Sequence, residues 1–311
     1  MSLRWQSKLV LLLVLPIAGA DVVLQTHVWL AKEPQVALWT LGMCAFFGVI
    51  VWAFRAGTPG AALAGACIGS SLMFSTSSLP YSPVRTAFAP LLCVVVLGVA
   101  STRLGRGLKQ QLGAGEDRRG RVASQIAANL GVAMLVVEPL FRDGLGSAHL
   151  LHLAEGSTVL GLTPMLAAFA EAAADTVSSE VGQVLGGAPR LITSLKVVEA
   201  GTDGAISGMG TVAGVCAALL VSAVGGCAVM GGWSVMGDWS VVAGGTLGSH
   251  PALGSLSKII AISVAGGVFG LFFDSLLGAT LERRGWLNND AVNFLSTLAA
   301  AIFAAVLVVS I

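Results

Sequence analysis

Two carboxylates one helical turn apart open the question of chemistry. In the stretch Ala170-Glu171-Ala172-Ala173-Ala174-Asp175-Thr176-Val177-Ser178-Ser179-Glu180, a helix puts Glu171 and Asp175 on one face, with Ser178 or Ser179 a turn further on. Like charges at that spacing repel unless a proton or a cation lies between them. A Mg²⁺ ion held by carboxylates plus ligand phosphates is one natural answer. A second stretch, Phe273-Asp274-Ser275-Leu276-Leu277-Gly278-Ala279-Thr280-Leu281-Glu282, offers Asp274 in a similar setting, Asp-Ser matching Asp-Thr.

Polar stripes and one loop join these acids. Arg121, Gln125 and Asn129 recur at i, i+4 and i+8, and Asn289 and Asn293 share a face at the start of another apolar run. Either stripe alone is as well explained by glue between helices; their common membrane level favours a site. The loop runs Ala188-Pro189-Arg190-Leu191-Ile192-Thr193-Ser194-Leu195-Lys196 and then Gly201-Thr202-Asp203-Gly204-Ala205-Ile206-Ser207-Gly208-Met209-Gly210. Glycines ahead of a helix let backbone N–H groups converge, and the helix N-terminus favours an anion. Arg190 and Lys196 add positive charge there, with Thr202, Asp203, Gly204, Ser207 and Gly210 as candidate phosphate contacts. The chain lacks G-x-x-x-x-G-K-[ST] and so has no P-loop. Taken together, acids and basic loop make a phosphate-and-Mg²⁺ constellation. Phosphoryl transfer is mostly positioning and charge neutralisation, and a phosphate nucleophile is already anionic. His27, His149, His152 and His250 fall near or beyond the opposite face, so no Ser/His/Asp set assembles.

The elements that position these residues follow from composition. Of 311 residues, 55% are hydrophobic and 11% charged, with a mean hydropathy of +0.86. Soluble domains carry about a quarter charged residues, so a soluble enzyme, a disordered chain and a nucleic-acid binder are all excluded. A bilayer core needs roughly 20 apolar residues per helix. Nine such runs lie near residues 8–30, 36–54, 59–78, 87–103, 122–141, 157–179, 206–230, 257–280 and 290–311. The expectation is an all-α, polytopic transmembrane bundle forming one domain over residues 1–311. It includes a basic cytoplasmic loop at 102–121, a phosphate-binding loop at 183–206 and an outer loop at 231–257. No recurring ten-residue alternation suggests a barrel.

With the N-terminus inside, the cytoplasmic segments hold Arg4, Lys8, Arg55, Arg103, Arg106, Lys109, Arg118, Arg119, Arg121, Arg190, Lys196, Arg283 and Arg284, against Lys32, Arg85, Arg142 and Lys258 outside. Thirteen against four fixes that orientation by the positive-inside rule. Arg4, Lys8 and Ala18-Gly19-Ala20 imitate a secretory signal. Because the apolar run continues to Trp29, the segment reads as a retained first helix. Asp21 and Glu138 stand alone near helix ends and read as structural. The five cysteines sit in apolar runs without paired spacing and read as small core residues. Most of the 40 glycines suit close helix packing, notably Gly65-x-x-x-Gly69 and the run Gly208 to Gly214.

Several of these segments resemble an integral-membrane family that includes plant phytyl-phosphate kinase and animal transmembrane protein 19. The resemblance rests on Glu171 to Gly182, Arg190-Leu191-Ile192-Thr193 with Lys196, and Gly201-Thr202-Asp203-Gly204. It extends to Asp274 to Ala279, Asn289 to Leu295 and Gln125 to Asn129. Two positions depart from the pattern: Val177-Ser178, where Trp and a small residue are usual, and Asp203, where Asn is usual. The resemblance implies a Mg²⁺-dependent kinase that converts an isoprenoid (phytyl or polyprenyl) monophosphate to its diphosphate at the cytoplasmic face. It also implies a nucleoside triphosphate donor, with CTP suggested by distant likeness to CTP-using lipid kinases. On that basis Glu171, Asp175 and Asp274 would hold the metal, with Glu180 as a fourth ligand. Lys196, Arg190 and Arg121 would bind phosphates, and the Gly201–Gly210 loop would cradle them. Lys196, Asp175 and Asp274 would then be catalytic, with Gln125, Asn129, Asn289 and Asn293 lining the nucleotide. A cytidylyltransferase making a CDP-lipid would use the same parts. A secondary transporter of a small anion also uses intramembrane carboxylates, but places them at the midplane.

Overall fold

The computed structural model describes residues 3–105, 120–139, 162–233 and 251–310. Among them are nine α-helices: α1 Arg4–Lys32, α2 Pro34–Ala53, α3 Pro59–Ser75, α4 Phe88–Arg103, α5 Ala123–Leu135, α6 Thr163–Leu185, α7 Gly208–Trp233, α8 Pro251–Leu277 and α9 Asn289–Ser310. The only sheet among the described residues is a two-stranded antiparallel pair between α6 and α7, β1 Arg190–Leu191 with β2 Ala205–Ile206. Much of the basic loop (Arg106, Lys109, Arg118, Arg119), Arg142, three of the four histidines and most of the outer segment lie outside the described residues.

The nine helices match the nine apolar runs, with shifted ends that have local causes. α3 stops at Ser75 because the Thr76 and Ser77 hydroxyls donate to the Leu72 and Met73 carbonyls, each at 2.7 Å, turning the chain out of the helix. α6 runs on to Leu185, six residues past its expected end, and α7 begins at Gly208, two residues late, so the loop between them is shorter. Described α7 and α8 reach Trp233 and Pro251, into the segment expected as an outer loop. α1, α2, α7, α8 and α9 are long and apolar enough to cross a membrane; α3, α4 and α5 are apolar but shorter.

α6 is the central element, packed against α4, α5, α7, α8 and α9. From Met165 to Ala174 its side chains are almost all buried, mostly Ala and Leu with Phe169. Small residues explain that position. In lipid, apolar surface gains little by leaving the bilayer, so close van der Waals packing must hold helices together. A Cβ added at Gly267 of α8 would stand 2.7 Å from the Ala170 Cβ, and one at Gly214 of α7 would stand 2.9 Å from the Ala174 carbonyl. Both helices therefore approach α6 backbone to backbone. By contrast, large apolar side chains such as Leu12, Phe46, Val212 and Val306 are more than half exposed and face outward, as a lipid-embedded bundle requires. Asp21, expected to stand alone, is buried, accepts a hydrogen bond from Ser71 at 2.5 Å that joins α1 to α3, and lies within electrostatic reach of Glu138.

Helix direction gathers one set of ends. The Gln6 amide donates to the Trp286 carbonyl at 2.8 Å, tying the start of α1 to the α8–α9 turn. The Thr58 amide donates to the Arg121 carbonyl at 2.9 Å, tying the α2–α3 turn to the entry of α5. Thr102 of α4 reaches Glu180 of α6 at 3.3 Å. The residues singled out for chemistry run from this end inward, Glu171 deepest, level with Gly270 of α8 and with Ser296 to Ala300 of α9.

Candidate active site

The centre of the site is the contact between α6, α8 and α9. Glu171 is fully buried, and Asp175 lies within its electrostatic reach one turn on. Asp274 of α8 stands within reach of both. Glycine makes this possible: a Cβ at Gly270 would overlap the Glu171 Cγ, so α8 can pass only where it has no side chain. Ser296 of α9 lies beside both Glu171 and Asp274. Yet Glu171 Oε1 and Asp274 Oδ2 are buried without any hydrogen-bond partner. Buried polar atoms are usually bonded; other buried side-chain atoms among the described residues also lack a partner, but these two are carboxylate oxygens on facing helices, where a cation could satisfy both.

Glu282, not singled out in the sequence, joins this group. It lies within reach of Asp175, Asp203 and Asp274. On a regular helix, a residue eight past Asp274 would stand at the edge of its face. The backbone from Gly278 to Glu282 is instead a π turn, which takes one extra residue and brings Glu282 back round. π turns of this kind recur at functional sites. Gly204 seats the loop on this turn: with φ +72°, its Cα packs against Ala279 and the Ser275 carbonyl so closely that any Cβ would overlap them. Asp203 is thereby held beside Glu282.

Arg121 is the cation that acts on Asp175. Its guanidinium lies over Gly98 of α4, where an added Cβ would stand 3.2 Å from Nη2. Asn293 donates to Asn129 at 2.9 Å and lies 3.3 Å from Asn289, so the two expected polar stripes meet across α5 and α9.

Other expected phosphate contacts serve their own backbone. The Gln125 side chain accepts from the Val122 amide at 2.9 Å and caps α5. The Arg190 guanidinium donates to the Leu195 carbonyl at 2.8 Å, closing its own turn. Thr202 donates to the Glu199 carbonyl at 2.7 Å. Ser207 accepts from the Gly210 amide at 3.2 Å and caps α7, while Gly210 abuts the Ser178 carbonyl of α6. Lys196 is exposed on the loop, and neither it nor Arg190 is among the partners of the clustered carboxylates. Glu180 accepts from Thr102 at 3.3 Å and lies within electrostatic reach of Asp175.

Among the described residues, no three acidic, His or Cys side chains alone form a metal cage. Mg²⁺ commonly uses one or two protein carboxylates and completes its shell with phosphate oxygens and water. The open oxygens of Glu171 and Asp274 fit that half-site.

The family described as integral membrane protein DUF92 matches residues 42–301. An uncharacterized membrane protein of Methanocaldococcus jannaschii is 32% identical over 212 residues, 68% of this chain and 72% of its own. Protein VTE6, chloroplastic, of Arabidopsis thaliana is 28% identical over 213 residues, 67% of this chain but 54% of its own, so the chain spans about half of the plant protein. An uncharacterized membrane protein of Synechocystis is 29% identical over 217 residues, 69% and 70% of the two chains. No solved structure matches.

Proposed function

Given that the chain belongs to the DUF92 family of integral membrane proteins, we propose that it is a kinase of an isoprenoid monophosphate, using a Mg²⁺–nucleoside triphosphate, with CTP the favoured donor. One observation carries the reading: the buried, unpartnered oxygens of Glu171 and Asp274 on facing helices. The relation to VTE6, with the family's resemblance to phytyl-phosphate kinase, supports the lipid class.

An attacking oxygen of the lipid phosphate forms a bond to the γ-phosphorus, and the bond from that phosphorus to the β-bridging oxygen breaks. The nucleoside diphosphate leaves with the electron pair. Bound Mg²⁺ would neutralise the β- and γ-oxygens. Glu171 and Asp274 would hold that ion, with Asp175 beside them, balanced by Arg121. Arg121 would bring the anionic nucleophile toward the anionic donor, and the Asn129–Asn293 pair would fix the relation of α5 to α9. No general base is required.

The test is purified protein in detergent, given Mg²⁺, geranylgeranyl or phytyl monophosphate and each nucleoside triphosphate in turn. The expected products are lipid diphosphate and nucleoside diphosphate. Release of pyrophosphate with a CDP-lipid would instead identify cytidylyl transfer, and no nucleotide consumption would overturn the enzyme reading.

A further inference from the structure

A cavity of about 470 Å³ lies among α2, α3, α4, α5 and α6, beside the carboxylate site rather than within it. Its walls are small or apolar, including Gly65, Ala66 and Val95, and its two ends differ in chemistry. At one end stand Arg55, Arg103 and Arg121, next to Asn129 and Glu180 of the site. At the other stand Cys44, Phe47 and Phe88. That floor is firm: the Phe47 and Phe88 rings meet edge-on with centroids 6.0 Å apart, and Cys44 Sγ lies 3.4 Å from the sulfur of buried Met73.

The arginine end is held in place by backbone. Arg55 has φ 54°, a left-handed conformation uncommon outside glycine and one that often marks functional sites. The Arg121 amide donates to the Ala56 carbonyl at 3.2 Å, and the Thr58 amide donates back to Arg121 at 2.9 Å. The built Cβ of Gly120 would be 2.7 Å from the Arg55 carbonyl, so the two segments are in backbone contact. Arg55 and Arg121 are thereby side by side.

The cavity's length follows from its walls. Cys44 to Phe54, just past the end of α2, is about 15 Å, and Phe88 to Arg103 on α4 is about 22 Å at 1.5 Å per residue. With C–C bonds of about 1.5 Å, an extended hydrocarbon advances roughly 1.25 Å per bond, so the cavity takes a main chain of about 12–18 bonds. Its volume is that of a pocket for one small molecule.

We propose that this cavity is the subsite for a single-chain lipid monophosphate: Arg55 and Arg103 hold the phosphate, and Cys44, Phe47 and Phe88 stop the chain and set its length. The identity of the headgroup rests on the kinase reading above; the length stop rests on the cavity alone. The three arginines supply the charge complementarity to the phosphate, and the cavity's mouth at Asn129 and Glu180 delivers that phosphate to the site.

Gly65 offers the sharpest probe. A Cβ there meets nothing nearer than Ile126 Cγ2 at 3.9 Å, so Gly65→Leu projects into the cavity partway along it. Binding to purified full-length protein in nanodiscs, without nucleotide, is measured for geranyl monophosphate and the twice-as-long geranylgeranyl monophosphate. Wild type is expected to prefer the longer ligand by on the order of tenfold or more, because each buried methylene adds to affinity. Gly65→Leu should cut long-chain binding by roughly tenfold while short-chain binding stays within about twofold, which also reports folding. Phe47→Ala should shift the preference toward still longer prenyl monophosphates. Arg55→Gln should weaken both monophosphates and leave geranylgeraniol, which has no phosphate, unchanged. A chain-length preference that neither Gly65→Leu nor Phe47→Ala moves would overturn the subsite. So would a co-purified two-chain phospholipid that geranylgeranyl monophosphate fails to displace. Chain-selective binding without nucleotide consumption sinks the kinase reading and keeps the subsite; turnover with an immovable chain preference does the reverse.

Discussion

Glu171 and Asp274 each keep a buried oxygen unbonded although Ser296 stands beside both. A buried polar atom without a partner costs about 1–3 kcal/mol, and the neighbouring Asp175 adds like charge. Active sites are where such instability persists, because the strained arrangement serves binding. Asp274→Asn removes one charge with little change of shape. Its metal-free form is therefore expected to melt a few degrees higher than wild type (a gain of about 1 kcal/mol moves a midpoint by a few degrees). Wild type should gain stability from Mg²⁺ with nucleotide and the variant should not; turnover should fall by about a hundredfold or more. Thermal unfolding in detergent, with and without Mg²⁺ and nucleotide, checks all three. A variant that melts lower in every condition would make Asp274 a structural residue. Arg121 yields a second expectation. Since its guanidinium lies over Gly98, Gly98→Val should push it aside and raise the KM for the lipid monophosphate more than that for the nucleotide, and steady-state kinetics in both substrates reads that split.

At the scale of elements, the α6–α8 contact decides whether those carboxylates meet. Gly266, Gly267 and Gly270 face Ala167, Ala170 and Glu171, and a Cβ at Gly266 would stand 2.8 Å from the Ala167 Cβ. Overpacking of this kind costs about 1–3 kcal/mol, so Gly266→Ala and Gly270→Ala should destabilise alike. They should differ in function: Gly270→Ala displaces Glu171 itself and should raise the Mg²⁺ concentration for half-maximal turnover, whereas Gly266→Ala should leave it near wild type. Equal Mg²⁺ responses would disconnect Gly270 from the site. The same element shows why some of the site was legible in the sequence and some was not. Glu171 and Asp175 are four apart on an unbroken helix, so local periodicity suffices to pair them. Glu282 is eight residues past Asp274, at the edge of its face, and is turned into the cluster by the π turn at Gly278 to Glu282, which no side-chain pattern announces. Gln125 and Arg190 look like ligands by residue type, but each satisfies a nearby backbone group, and such local bonds compete with any distant partner. The nine helices were legible from their apolar runs, and α1, α2, α7, α8 and α9 have the length that lipid imposes. The cavity was not, because Gly65 and Ala66 there leave space to be filled, and in sequence small residues look the same whether they admit a helix or a ligand.

For the whole molecule, the gathered helix ends and the aromatic rings describe how it sits in a bilayer. Trp5 and Trp29 lie near opposite ends of α1, and Trp39 and Trp52 near opposite ends of α2; Trp286 is exposed in the α8–α9 turn at the site end. Trp favours the two membrane interfaces, so these pairs outline two belts with the carboxylate site near one of them. By the positive-inside rule that belt is expected on the cytoplasmic side. Arg55, Arg103, Arg121, Arg190, Lys196, Arg283 and Arg284 all belong to that end among the described residues. Lys196 is exposed there and outside the carboxylate cluster, so Lys196→Cys reports sidedness without entering the metal half-site. A membrane-impermeant maleimide should leave it unlabelled in intact cells and label it in inverted vesicles, against a background with the five natural cysteines replaced. Labelling from outside would reverse the bundle and strand the site away from its nucleotide. The kinase reading therefore depends on a topological fact that can be measured without any substrate.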